Sequence, residues 1–163
     1  MEGAIVDREA LLGRLFQLVR ESQRRNDGFD QAVADYLGVS RTEAHCLDIL
    51  DEFGPITAGR LSVLSRLTTG AVTKVVDRLE AVGYVKRVSD PIDRRRVILD
   101  LTPKTRRLAA NLYKAPEPLM TDFQAQFSDR DLQILISFFE LGNELVDARS
   151  ARLAKRVSKR SGS

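Results

Sequence analysis

The stretch Thr68-Thr69-Gly70-Ala71-Val72-Thr73-Lys74-Val75-Val76-Asp77-Arg78-Leu79-Glu80-Ala81-Val82-Gly83 decides the fold. Val72, Val75, Val76 and Leu79 recur at i, i+3, i+4 and i+7, which makes one buried stripe on an amphipathic helix. Thr68 or Thr69 caps its start, and Gly83 ends it. Two strand-like runs follow, 84–88 and 96–101, the second with Val97, Leu99 and Leu101 in alternation. Between them lies Asp90-Pro91-Ile92-Asp93-Arg94-Arg95-Arg96, where Pro91 suits a tip because it cannot donate to a ladder. A helix followed directly by a cationic hairpin predicts a mainly α winged helix-turn-helix, with a small β-ribbon wing and terminal dimerisation helices.

Upstream, Ser40-Arg41-Thr42-Glu43 reads as a capping box, and Gly54-Pro55 stops the helix that it opens. Thr57 caps a brief helix to about Leu64, and Ser65-Arg66-Leu67 is the turn before the groove-facing helix. Earlier still, Leu11, Leu12, Leu15, Leu18 and Val19 predict a helix over 7–25, ended by Asn26-Asp27-Gly28. A short helix over 30–37, closed by Gly38, comes next. Downstream, Thr102 caps a helix with Pro103 at its first position. Pro116 and Pro118 should kink or interrupt it. Leu119, Met120, Phe123 and Phe127 suggest resumption, and Ser128 with Asp131 marks a last helix, apolar on two sides. The organisation expected is one chain, 1–163, with a winged lobe at about 30–102 and dimerisation helices at about 5–26 and 103–155.

Composition narrows the classes. Of 163 residues 43% are hydrophobic, enough for a core, and 30% are charged. No apolar run approaches the roughly 20 residues of a membrane span, so no membrane partner is expected. The opening Met1-Glu2-Gly3-Ala4-Ile5-Val6-Asp7 is too acidic for a signal peptide, and a cytoplasmic location is the expectation. Net charge is +3, so placement matters more than total: Arg94 to Arg96 form one cluster, and Arg149, Arg152, Lys155, Arg156, Lys159 and Arg160 another. The second cluster either touches DNA flanks or is a solvated helix end. One cysteine, Cys46, leaves no disulfide within the chain, and one histidine, His45, builds no metal site without several carboxylates or a second chain. With no phosphate loop, triad or metal cluster, no enzyme and no cofactor are expected.

The helix-turn-helix geometry turns Thr69, Gly70, Thr73, Lys74, Asp77 and Arg78 away from the core. Gly70 and Ala71 let the first turn approach closely. Thr73 offers a hydroxyl and a methyl, and Lys74 reaches a guanine or a phosphate. Thr68, at the helix N-terminus, belongs to the same contact set. Read alone, this face is better taken as a solvated one. The wing shifts the reading, because Arg94, Arg95 and Arg96 are costly to crowd unless an anion meets them, and a minor groove supplies one. The competing reading is a solvated turn, partly neutralised by Asp90 and Asp93.

Residues 71–85, Ala71 to Val85, resemble the recognition helix of the multiple-antibiotic-resistance regulator (MarR) family. Asp90-Pro91-Ile92-Asp93-Arg94-Arg95 with Val97-Ile98-Leu99-Asp100-Leu101-Thr102 resembles its wing. The resemblance covers most of the chain and departs from the family at Pro116 and Pro118. It implies a triangular homodimer with intertwined first and last helices, on double-stranded DNA carrying a palindromic site. It maps the wing arginine to Arg95, and makes Asp77 the residue that holds a wing arginine in place; Asp93 is the second support. It also implies a transcription regulator, more often a repressor. The dimer has its own argument, since Leu11 to Val19 and a two-sided last helix carry more apolar surface than a small lobe covers. Two recognition helices then stand about 34 Å apart.

An anionic or aromatic effector, if there is one, would bind between dimer base and winged lobe, with Phe16, Tyr36, His45 and Phe53 as candidate lining. Phe29 is a further candidate. Cys46, mid-helix beside Leu47 and Leu50, reads as a buried small hydrophobe rather than a redox sensor. The rival function is a winged-helix module for protein–protein interaction, whose binding would respond little to salt.

Overall fold

The computed structural model describes residues 7–94, 96–114 and 117–161. Its chain divides into two units, Met1–Tyr113 and Lys114–Ser163.

The first unit opens on α1 (Arg8–Leu37), which Asp7 caps through the Glu9 amide. α1 is one continuous helix, not the two that Asn26-Asp27-Gly28 suggested. A single helical glycine costs only about 1 kcal/mol. The turns beyond it are anchored: Val33 and Ala34 are buried, and the Phe29 ring meets Tyr113 edge-on at 5.6 Å. Gly38 then ends α1 with φ +68°, the left-handed conformation that glycine adopts without penalty.

α2 (Arg41–Phe53) starts from the expected capping box: Ser40 Oγ accepts from the Glu43 amide, and Glu43 accepts from the Ser40 amide. β1 (Ile56–Thr57) leads into α3 (Ala58–Ser65), capped by Thr57. Arg66 turns left-handed at φ 58°, and Thr68 caps α4 (Thr69–Ala81). β2 (Val85–Ser89) and β3 (Val97–Leu101) form the wing, and Thr102 with Pro103 opens α5 (Pro103–Leu112). The sheet order is β1-β3-β2, antiparallel, with Val85 opposite Leu101 and Ser89 opposite Val97. β1 was invisible to alternation because two residues carry no period.

One core unites these elements. Cys46, Leu47, Leu50, Leu61, Val72, Val76, Leu79, Val85, Leu99 and Leu101 are all buried. Val75 is only half-buried, and Val97, expected inward with Leu99 and Leu101, is 54% exposed. The reason is its register. Its partner is Ser89, at the outer end of the ribbon, past the core helices.

The corner where wing meets helices is held by polar bonds. Tyr84 donates its hydroxyl to the Leu37 carbonyl at 3.0 Å. The Tyr84 carbonyl accepts from the Thr105 hydroxyl at 2.8 Å and from the Thr102 amide at 3.0 Å. Thr105 is buried, and these bonds satisfy it.

In the second unit, α6 (Glu117–Gln124) carries Pro118 in its first turn, where a missing amide does no harm. The helix interruption expected here is present, since α5 ends at Leu112; Pro116 itself lies outside the described residues. Ser128 and Asp131 exchange bonds at the start of α7 (Asp129–Ser161), as expected. Leu132, Leu135, Ile136, Phe139 and Val146 are exposed in this chain, as are Ile134, Leu141 and Leu145. No helix among the described residues is long and apolar enough to cross a membrane.

Candidate nucleic-acid interface

α4 presents two faces. Val72, Val76 and Leu79 are buried, while Thr69, Gly70, Thr73, Lys74, Asp77 and Arg78 are exposed. The Thr68 hydroxyl oxygen accepts from the Ala71 amide at 3.3 Å, so this threonine builds the helix start as well as flanking the exposed face. Thr73 donates its hydroxyl to the Thr69 carbonyl at 3.1 Å. Its oxygen lone pairs and methyl stay available to a partner. A Cβ added at Gly70 would meet nothing within 4 Å of the protein, so no internal packing calls for glycine there.

Arg78 has an internal commitment. Its Nε lies 3.3 Å from Glu43, a carboxylate nearly buried at the start of α2. The arginine therefore fastens α4 to α2 while most of it remains in solvent.

The wing is fastened more tightly. Arg87, on β2, donates to Asp77 at 2.6 Å and pairs with Glu80, both on α4. The Arg87 amide also donates to Glu80 at 3.2 Å. The Asp77 hydrogen bond is the main cause that holds the Arg87 guanidinium above its already high proton affinity. Asp77 thus meets an arginine of the wing strand. Arg87 and Glu80 escaped the sequence reading. The available signal was Asp77 and Glu80 at i, i+3, two acids on one helix edge just ahead of a basic strand residue.

At the tip, Asp90 accepts from the amides of Ile92 at 2.8 Å and Asp93 at 3.3 Å. These amides hold its carboxyl below the usual range, with Arg96 a smaller contributor. Asp90 is first a turn-former. The Arg96 amide donates to the Asp93 carbonyl at 2.8 Å, so Asp93 supports the tip through its backbone. Arg94 and Arg96 are exposed. Arg95 lies outside the described residues.

The aromatic candidates for effector binding do not converge. Phe16 and Tyr36 stand twenty residues apart on α1, which is roughly 30 Å of helix. They and Phe53 are exposed, and none of the three lines the cleft at His45 or the crevice beside Tyr113. His45 borders that cleft, of about 410 Å³, together with Asp27, Asp30, Asp48 and Arg41. Three carboxylates there disfavour an anion. Beside it, Tyr113 donates to Asp48 at 2.8 Å over an apolar crevice of about 20 Å³, room for one water. Burial raises the Asp48 carboxyl, and this hydrogen bond opposes the rise. Cys46 is fully buried, and burial pushes its thiol up to about 11. No group of His, Cys, Asp and Glu able to hold a metal exists among the described residues.

The MarR family model matches residues 39–97, from the end of α1 to the start of β3. The HTH-type transcriptional regulator YcgE of Bacillus subtilis is 36% identical over 137 residues, 84% of this chain and 89% of its own length. This chain belongs to the MarR family. A MarR-like transcriptional regulator from Thermotoga maritima matches at 28% identity and TM-score 0.56, covering 89% of this chain and 98% of that one. A MarR family protein from Bacillus stearothermophilus shares the fold at TM-score 0.62 and 22% identity, over 86% of this chain and 99% of that one. The molecule is thus a MarR-family transcription regulator that binds DNA, and not an enzyme.

Proposed function

We propose that two copies of this chain form a repressor that grips a palindromic duplex. The observation that carries this reading is the exposed Thr69, Gly70, Thr73 and Lys74 face of α4 beside a wing that Arg87 fastens to Asp77 and Glu80. α4 enters a major groove by its N-terminal turns, where Thr73 and Lys74 meet base edges and Thr68 and Thr69 meet phosphate. Arg95, at the wing tip between Arg94 and Arg96, enters the adjacent minor groove, drawn by its negative potential. Arg78 adds a phosphate contact from the edge of the same face.

Dimerisation is supported by apolar surface that one chain leaves in water. Leu11, Leu12, Leu15, Phe16 and Leu18 on α1 are 36–57% exposed, and α7 repeats the pattern. A two-fold pair removes such surface and duplicates the reading head. Release by a small molecule is the remaining part of the proposal, with the cleft at His45 as its place; typical coupling would be about 1–3 kcal/mol.

Selection of bound duplexes from a random pool tests the reading. A palindromic consensus, with half-sites one helical turn apart, is the expected result. A consensus without two-fold symmetry would overturn the dimeric arrangement, and no enrichment by folded protein would overturn the function.

A further inference from the structure

The positive charge of this chain gathers in two places, the winged reading head and a segment well beyond it. Residues 149–160 hold six of the 26 Lys and Arg and none of the 23 Asp and Glu. The net charge is +3, so the other 151 residues together carry −3. That remainder includes the winged residues 58–102, with nine Lys and Arg against five Asp and Glu, so the acidic excess lies in the helices before and after the wing.

The segment is helical, within α7, and its cations are sorted by face. At 100° per residue, Arg149, Arg152, Lys155 and Arg156 fall inside an arc of about 120°. The same step places Asp147, the last acidic residue of the chain, about 160° from Arg149. All four cations are exposed. Lys159 and Arg160 follow in the sequence.

Helix-end electrostatics does not account for this. Cations suit the C-terminal dipole only within the last turn. Arg149 precedes Ser161 by twelve residues, roughly three turns. There, like charges at i, i+3 and i, i+4, such as Arg149 with Arg152 and Arg152 with Arg156, oppose the helix. A one-sided cationic arc is relieved by an external row of negative charge.

We infer that the basic arc of α7 is a second DNA-binding surface, which takes duplex phosphates without reading sequence and adds to the contact made by the winged lobe. It rests on the DNA-binding assignment and extends it. Its physical role is to capture duplex and raise the encounter rate beyond what the cationic wing alone supplies.

The test uses the full chain, a random-sequence duplex several helical turns long, and the variant Arg149→Ser/Arg152→Ser/Arg156→Ser. Helicity by circular dichroism is checked alongside. Plots of log affinity against log salt should lose about 2.7 of slope per chain in the variant, from three phosphates at about 0.9 each. Arg→Lys at the same positions should restore the slope, because only charge matters. An unchanged slope and affinity for the serine variant would overturn the inference while leaving operator binding intact. So would a variant that binds duplex normally but loses binding to vesicles rich in anionic phospholipid, which would assign the arc to a membrane surface. Failure of the unmodified protein to bind any duplex would instead strike the reading head itself.

Discussion

Arg87 on the wing strand lies 2.6 Å from Asp77 on the recognition helix, and its other guanidinium arm pairs with Glu80 one turn on. The two elements proposed to enter neighbouring grooves are therefore coupled by a single side chain. The pair is partly exposed, so its worth to stability is small, about 0–1 kcal/mol. Its value lies in fixing the wing's direction before DNA arrives.

Arg87→Ala should separate those two quantities. Stability by denaturant titration should fall by less than about 1 kcal/mol. Operator affinity should fall at least several-fold, since the wing must then be ordered on binding. Equal binding by the variant would show that the clamp does not position the wing.

Arg95→Ala should weaken operator binding by about 1–3 kcal/mol, the scale of a lost groove contact. Fluorescence anisotropy with a selected duplex measures it. Unchanged affinity with an intact fold would remove Arg95 from the interface.

Much of this architecture was legible in the sequence because local chemistry specifies it. Ser40 with Glu43, Thr57, Thr68, and Thr102 with Pro103 all cap the helices they were expected to cap. The stripe through Val72, Val76 and Leu79 is core because a period of 3.6 has no other use on a short helix. What escaped depends on neighbours distant in sequence. Asn26-Asp27-Gly28 resembles a stop signal, yet packing around Phe29, Val33 and Ala34 carries α1 through it. Val97 has the alternation of a core residue and an address beyond the core. Arg87 became visible only when the strand register placed it over Asp77 and Glu80.

Continuity of α1 makes Gly28 a point of avoidable weakness. A Cβ there meets nothing within 4 Å. Gly28→Ala should raise stability by about 0.5–1 kcal/mol, as alanine lowers the entropy lost on forming a helix. A lower denaturation midpoint would mean that the helix breaks at this glycine.

Cys46 should be silent as a sensor. The thiol is buried and its pKa is pushed up to about 11, first by burial and then by the Glu43 carboxylate. An acid raised in the fold contributes stability that is complete below its unfolded value near 9 and is lost as pH climbs toward 11. Native protein at pH 8 should resist alkylation while unfolded chain reacts. Cys46→Ala should lose less stability than the parent between pH 9 and 11. Rapid native labelling, or DNA release by mild peroxide reversed by thiols, would contradict this.

The central claim is that the outer face of α4 reads bases. The direct measurement ranks a complete set of single-base operator variants for the parent, Thr73→Ala and Lys74→Ala. Each parental mismatch should cost about 1–3 kcal/mol. Each variant should flatten that penalty at its own one or two positions, symmetrically in both half-sites, and keep it elsewhere. Two variants that retain the parental ranking throughout would show that the bases are read by some other part of the molecule.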